Sequence, residues 1–217
     1  MTFFRLDSSL HVDGSVSRTL ADVVQQEWSR AHPAAAFIRR DLGRHPLPSV
    51  WPAAVAGRIT PEEARTGEQH SAGALAGRLV NELLESDAYI FGMPMYNFGV
   101  PQQVKHWIDL IITDPRADDV NRPLLKGRPA VLVEARGGGY GPGSEREGWD
   151  HVTPYLSHIF AHVWGLDLAI VAAELTAADT NPAMAHLRGL ARQQFADARA
   201  AASDHAISIA RRLRTAA

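Results

Sequence analysis

The chain contains no cysteine. This absence excludes a disulfide framework, thiolate chemistry and zinc or iron–sulfur sites held by cysteine. The chain also has no apolar run that approaches the roughly 20 residues of a membrane-spanning helix. No stretch near Met1 shows the order of charged, apolar and small residues that marks a signal peptide. These absences predict a cytoplasmic protein without a membrane partner.

An excess of charge of one sign is missing as well. Lys and Arg number 22 against 24 for Asp and Glu, the formal net charge is −2, and the basic residues are scattered. A nucleic-acid partner is therefore not expected. The triplet Glu145-Arg146-Glu147 is interpreted as exposed charge. His158 and His162 are spaced for one helix face, but no third ligand is evident, so we predict no metal site.

The 217 residues, 46% of them apolar, suit one domain over residues 1–217. Strand-like runs alternate with longer stretches of helical period, which predicts a parallel sheet with helices on both faces. The sequence thus predicts an α/β three-layer sandwich with a five-stranded parallel sheet. Strands are expected at residues 2–6, 36–41, 88–92, 129–134 and 166–173, and helices at 17–31, 69–86, 101–112, 152–164 and 182–214. Residues 43–61, rich in Pro and Gly, are expected to form a surface excursion.

The tract GMPMYNFGVP at residues 92–101 follows the third predicted strand and precedes a helix. Glycines and prolines favour an irregular backbone there, while Met95, Tyr96 and Phe98 offer flat or soft apolar surface beside the Asn97 amide. That combination suits a planar heteroaromatic ring with hydrogen-bonding edges. A plain turn between strand and helix would also use Gly and Pro.

A loop with several serines connects the first strand to the first helix. Ser9, Ser15 and Ser17 lie where free N–H groups and the positive end of the helix dipole favour an anion such as a phosphate. The alternative is that Ser15 or Ser17 is only a helix cap. The chain has neither GxxxxGK[ST] nor GxGxxG after this strand, which argues against a nucleoside triphosphatase and a dinucleotide-binding fold.

A third candidate loop, ARGGGYGPG at residues 135–143, follows the fourth strand. The adjacent glycines permit a close approach of backbone N–H groups to a ring edge, so Gly137 and Gly138 are candidate ligands. A flexible loop without a ligand is the alternative.

All three loops, in this order, resemble those of the FMN-dependent NADH:quinone oxidoreductase and azoreductase family, which has a flavodoxin-like fold. The chain departs from the usual pattern at Val16, where many members have a polar residue, and at Ala135 and Tyr140, where they have Ser and His. Residues 152–156, VTPYL, match the start of a family helix. The resemblance implies that FMN is bound by Ser9, Ser15, Val16, Ser17, Pro94, Met95, Tyr96, Asn97, Phe98, Gly99, Ala135, Arg136, Gly137, Gly138 and Tyr140.

The family resemblance also implies a reaction. NADH or NADPH donates a hydride to flavin N5, and the reduced flavin then passes two electrons to a quinone, an azo compound or a related small molecule in a ping-pong mechanism. No catalytic side chain is required for the hydride transfer. A flavin reductase that supplies a monooxygenase, or an electron carrier, is the alternative, although carriers are usually strongly acidic.

A homodimer with the flavin near the interface is expected from the resemblance and from the apolar residues of one helix, namely Trp107, Ile108, Ile111 and Ile112. Residues 113–126 form a shorter segment than in azoreductases and lack the aromatic residues that family members place over the partner's flavin. The sequence therefore leaves the electron acceptor open. Trp149, in the glycine-rich loop, is a candidate for lining a substrate cavity.

Overall fold

The computed structural model describes residues 1–215. Five strands alternate with six α-helices along the chain. The strands are β1 (Thr2–Asp7), β2 (Ala36–Asp41), β3 (Ala88–Pro94), β4 (Pro129–Ala135) and β5 (Asp167–Ala173). The helices are α1 (Val16–Ala31), α2 (Trp51–Ile59), α3 (Gly67–Leu84), α4 (Gln102–Ile112), α5 (Thr153–Ser157) and α6 (Arg188–Thr215).

The strands form a single parallel sheet in the order β2-β1-β3-β4-β5. In this order the chain adds β2 on one side of β1 and then adds β3, β4 and β5 on the other side. Such a change of side leaves a crevice at the carboxyl ends of β1 and β3. The predicted five-stranded parallel sheet of an α/β sandwich is confirmed.

Alternate residues of each strand enter two separate cores on opposite faces of the sheet. Phe4 and Phe91 pack on one face with α2 to α5, whereas Phe3 and Ile90 pack on the other with α1 and α6. A strand buried on both faces reads as a continuous apolar run, which is what β3 and β4 show in the sequence. The three-layer architecture follows from this period-two division of side chains.

The structure corrects three expected element boundaries. The excursion at residues 43–61 contains a helix, α2, because Pro52 lies in its first turn and alanines follow. The helix expected at 152–164 is α-helical only over Thr153–Ser157 and continues as a π-helix over His158–Val163. The terminal helix begins with a 3₁₀ segment, Pro182–Leu187, before α6.

The apolar face of α4 does not form an exposed surface. Trp107, Ile108 and Ile111 are fully buried, and Ile112 packs against the same core. Trp107 contacts Trp164 edge to face, with ring centroids 5.5 Å apart. The reason given above for placing a dimer interface on α4 is therefore wrong, since this face is needed to fill the interior.

Candidate functional site

Three loops meet at the carboxyl edge of the sheet. We call them the β1 loop (residues 8–15), the β3 loop (residues 95–101) and the β4 loop (residues 136–150). They follow β1, β3 and β4, which are adjacent in the sheet. The sheet thereby brings together candidate residues that are more than 120 positions apart in the chain, at the crevice that open α/β proteins use for ligands.

The β1 loop and the first turn of α1 together present a group of free hydrogen-bond donors. Backbone N–H groups of Gly14, Val16 and Ser17 have no acceptor within residues 1–215. The hydroxyls of Ser15 and Ser17 lie 3.3 Å apart and are buried. Ser15 also caps α1 by accepting from the Arg18 N–H at 3.4 Å. The helix-cap alternative is thus true of Ser15, yet three further N–H groups at this helix terminus still lack a partner.

An ion pair anchors the same loop from below. Arg18 donates two hydrogen bonds of 2.7 Å to Asp41 at the end of β2, and a third of 2.8 Å to the Ser9 carbonyl. Burial disfavours the Asp41 carboxylate, but the hydrogen bonds from Arg18 and the Arg44 N–H, together with the charges of both arginines, outweigh it and hold the pKa of Asp41 below its ordinary value. Because its guanidinium is committed to Asp41 and Ser9, Arg18 holds the β1 loop in place and leaves anion binding to the N–H groups.

The β3 loop forms a tight turn from Tyr96 to Gly99, whose backbone N–H groups each donate to the other's carbonyl at 3.2 and 3.0 Å. Asn97 and Phe98, the two central residues, have φ angles of 49° and 67°. This is the left-handed region, which asparagine tolerates and phenylalanine rarely adopts. The turn leaves both side chains exposed and the two central N–H groups without an acceptor within residues 1–215.

Hydrogen bonds tie the β3 loop to its neighbours on both sides. The Tyr96 hydroxyl accepts from the Leu10 N–H of the β1 loop at 3.0 Å, and the Met95 N–H donates to the Ala135 carbonyl of β4 at 2.8 Å. Gln103, at the start of α4, donates to the Ser8 carbonyl at 2.8 Å. Leu10 and Gln103 were not identified from the sequence, because neither residue type signals a contact with a distant loop.

The β4 loop places its glycines beside the β3 loop. The N–H groups of Gly137 and Gly138 have no acceptor in the described part of the chain, while their carbonyls accept from Ala177 and Leu175 at 3.2 and 3.1 Å. The carbonyl bonds fix the backbone plane, so the free N–H groups have a defined direction. Ala135 is buried just before this loop, and Pro94 is buried at the end of β3.

Arg136 anchors the β4 loop. Its guanidinium, nine-tenths buried, contacts Glu134 at 2.5 Å, Glu174 at 3.0 Å and Asp150 at 3.1 Å. Burial raises the pKa of Glu134, which is only 1% exposed. Glu174 also accepts from the Tyr140 N–H at 3.0 Å. The structure directs the Arg136 side chain into this network beneath the loop, so its link to a ligand runs through the position of the glycines.

Two residues of the β4 loop have neighbours that the sequence did not reveal. Arg146 stacks on the Tyr140 ring, 5.9 Å from its centroid. Trp149, 51% exposed, packs edge to face on Phe98, 41% exposed, with ring centroids 5.6 Å apart. The backbone supports this pair, since the His151 N–H donates to the Phe98 carbonyl at 3.2 Å. An aromatic pair therefore closes one side of the β3 loop.

A groove opens on the opposite side of the β3 loop. It has a volume of about 790 Å³ and is bordered by Tyr96, Asn97, Leu42 and Trp51. His106 of α4 lies 3.0 Å from the Pro48 carbonyl and so holds the outer wall of the groove. The volume is within the usual range for small-molecule sites.

His158 and His162 lie apart from these loops in the sequence, on the π-helix. Their rings are exposed and 5.9 Å apart. Within residues 1–215 no third His, Asp or Glu joins them to make a group that could hold a metal ion. No described helix combines the length and apolar character needed to cross a bilayer.

The donor set of the three loops fits FMN. A phosphate requires several donors and no acceptor, which the free N–H groups and serine hydroxyls of the β1 loop and the first turn of α1 provide. A flavin ring requires apolar contact and edge donors, which the β3 and β4 loops offer through Met95, Tyr96 and the glycine N–H groups. The residues present are therefore compatible with this cofactor.

Strand order and loop placement define the class of protein: an open parallel α/β protein whose ligand lies across the carboxyl ends of its central strands. The chain belongs to the flavodoxin-like fold family, whose sequence model matches residues 1–195, and within it to the group of FMN-dependent NADH:quinone oxidoreductases. The family resemblance drawn from the three loops is confirmed.

The relatives match nearly the whole chain. An FMN-dependent NADH:quinone oxidoreductase of Frankia casuarinae is 39% identical, over 91% of this chain and 94% of the relative. One from Streptomyces coelicolor is 36% identical over 98% and 94%. Among solved structures, an azoreductase from Bacillus anthracis has a TM-score of 0.78 at 21% identity, covering 95% of this chain and 98% of that one. An FMN-dependent NADH-azoreductase from the same species, in complex with FMN, has a TM-score of 0.69 at 17% identity, over 94% and 99%.

Proposed function

We propose that this protein is an FMN-dependent NAD(P)H oxidoreductase that reduces quinones or related conjugated acceptors by a ping-pong mechanism. The observation that carries the proposal is the group of unpaired N–H donors at the start of α1, adjoining an aromatic turn and a glycine edge in one crevice. Its relatives carry the name FMN-dependent NADH:quinone oxidoreductase. The proposed FMN ligands are the fourteen candidates other than Arg136, which supports them.

FMN, when bound, supplies the redox chemistry by accepting a hydride from NADH or NADPH and passing two electrons on. The protein contributes binding and orientation. N–H groups of Gly14, Val16 and Ser17 would hold the phosphate, and those of Gly137 and Gly138 would hold the ring edge. The hydrogen bond from the Leu10 N–H to the Tyr96 hydroxyl joins the loop that would bind the phosphate to the loop that would contact the ring. No side chain has to move a proton for hydride transfer.

The primary test is the cofactor content of the purified protein. We expect a yellow protein that releases one FMN per chain on heat denaturation and oxidises NADH or NADPH when a quinone is added. Absence of flavin from the extract, together with no FMN binding in a fluorescence titration, would overturn the proposal. Turnover with free FMN but not with quinones would instead support a flavin reductase.

Asn97→Gly is expected to weaken FMN binding by about 1–3 kcal/mol, the cost of leaving a buried polar edge without its partner. Glycine keeps the left-handed backbone that Asn97 adopts at a φ of 49°, so the variant removes the amide and preserves the turn. Fluorescence titration of apoprotein with FMN measures the loss. An unchanged dissociation constant would remove Asn97 from the binding site.

Trp149→Ala is expected to raise the KM for a planar quinone by about 2- to 12-fold, since an aromatic contact contributes roughly 0.5–1.5 kcal/mol. The basis is the exposed pair of Trp149 and Phe98 beside the β3 loop. Trp149→Phe should retain most of the affinity. Ferricyanide, which has no aromatic ring, serves as the control acceptor and should show an unchanged KM. A quinone KM equal to that of the wild type would contradict this assignment.

We also propose a homodimer, with its interface on α2 in place of α4. Trp51, Val55 and Ile59 lie at positions i, i+4 and i+8 of α2 and are 43%, 39% and 83% exposed. Such an apolar ridge on a helix is typical of an interaction surface. We expect a dimer by light scattering at micromolar concentration and a monomer after Val55→Lys and Ile59→Lys are combined. A wild-type monomer would rule out the dimer, and a dimeric double variant would place the interface elsewhere.

One FMN-binding domain over residues 1–217 is proposed because both halves of the chain build the same layer. The Trp28 indole of α1 donates to the Ala206 carbonyl of α6 at 3.1 Å. The cytoplasmic location and the choice between NADH and NADPH stay predictions.

A further inference from the structure

Arg146 lies against the backbone of the glycine pair. A Cβ atom at position 138 would overlap Nη1 of Arg146, so the guanidinium occupies the space that a side chain would take there. The guanidinium also packs on the Tyr140 ring, with 5.9 Å between the Arg146 Cζ atom and the ring centroid. The residue at 138 must be glycine for this cation to approach the main chain.

Within residues 1–215, Arg146 has no carboxylate within ion-pair distance. The nearest candidates are engaged elsewhere. Glu174 binds Arg136 and the Tyr140 N–H, and Glu147 accepts from the Gly143 N–H at 2.8 Å. A guanidinium without an anionic partner is thus held against Gly138, one of the two glycines whose N–H groups are free. A cation and free N–H donors in the same loop both favour a negative charge on a ligand bound there.

The proposed reaction creates negative charge in the bound cofactor. A hydride carries one proton and two electrons from the nicotinamide, which leaves as NAD(P)⁺, and FMN gains one negative charge until a proton from water neutralises it. Neutral N–H groups of Gly137 and Gly138 stabilise that charge only as dipoles. A cation beside them stabilises the reduced form more than the oxidised form, because only the former has the added charge.

We propose that Arg146, held on Tyr140 and packed against Gly138, is the cation that stabilises reduced FMN at the ring edge bound by the β4 loop. This inference rests on the proposed function. It assigns a role to a residue whose sequence context, between two glutamates, indicates only exposed charge. The specific observations are the overlap at position 138, the stacking on Tyr140 and the lack of an ion-pair partner.

The test compares Arg146→Met with Arg146→Lys and with a control that removes the same charge elsewhere. Arg211→Met is that control. Its neighbour Arg212 pairs with Asp167 at the start of β5, so this region lies at the amino ends of the strands, away from the three loops at their carboxyl ends. Each holoprotein is titrated with dithionite in the presence of a reference dye to obtain the two-electron potential of its FMN. Fluorescence titration gives the affinity for oxidised FMN.

Arg146→Met is expected to weaken the binding of reduced FMN about tenfold relative to that of oxidised FMN. For a two-electron couple this lowers the reduction potential by about 30 mV. Arg146→Lys should retain most of the wild-type potential, and Arg211→Met all of it. An unchanged potential in Arg146→Met overturns the inference. A rise only in the KM for NADPH also overturns it, and assigns Arg146 to the donor's phosphate. Failure of the wild type to bind FMN is a separate result, which rejects the proposed function itself.

Discussion

Ser17→Asp is expected to abolish FMN binding while the protein stays folded. Ser17 is 1% exposed, and its hydroxyl lies 3.3 Å from that of Ser15 in the group of donors proposed to hold the phosphate. A carboxylate there would itself accept hydrogen bonds from the free N–H groups, and its charge would repel the phosphate. Two unit charges 4 Å apart interact by about 4 kcal/mol at an effective dielectric constant of about 20, so a loss of at least about 100-fold is expected.

The position in the helix separates this effect from misfolding. Ser17 is the second residue of α1, where a negative charge interacts favourably with the helix dipole. The carboxylate would also receive hydrogen bonds from the free N–H groups, which offset the cost of burying it, so the apoprotein should stay folded and show a cooperative urea transition. Ser17→Asn, of similar size and uncharged, should bind FMN within about tenfold of the wild type. Retention of wild-type FMN affinity by Ser17→Asp would show that the phosphate binds elsewhere.

Arg136→Met is expected to lower the free energy of unfolding by about 3–5 kcal/mol, the usual cost of removing one partner of a buried ion pair. The variant leaves the Glu134 carboxylate, 1% exposed, without its guanidinium at 2.5 Å. Urea unfolding of the apoprotein, followed by circular dichroism, measures the change. Glu134→Gln combined with Arg136→Met should recover part of the loss, because it removes the uncompensated charge.

The loss should also depend on pH. Burial already raises the pKa of Glu134 in the folded protein above its unfolded value, and removal of Arg136 raises it further. A raised folded pKa contributes stability that is present below the unfolded pKa and is lost as pH rises through the folded value. The destabilisation of Arg136→Met should therefore be smaller at pH 5 than at pH 8. A variant within about 1 kcal/mol of the wild type at both pH values would show that the network is dispensable.

Local pattern determined the layers of this protein. The continuous apolar runs of β3 and β4, separated by stretches of helical period, are sufficient to indicate a parallel sheet covered on both faces. The short helix α2 escaped prediction because its Pro and Gly residues resemble those of a loop. Periodicity also could not show that the apolar face of α4 fills the core, since burial depends on what lies opposite.

The candidate site, too, was determined partly by the sequence and partly by the tertiary structure. Its three loops could be recognised from the sequence because each follows a strand, and parallel strands all end at one edge of the sheet. Only the tertiary structure decided which side chains face the crevice. Arg136 turns inward to a carboxylate 38 residues away, and Arg146 lies against Gly138 although its neighbours are charged. Such contacts join residues whose separation in the chain varies freely, so no local pattern of polarity or spacing records them.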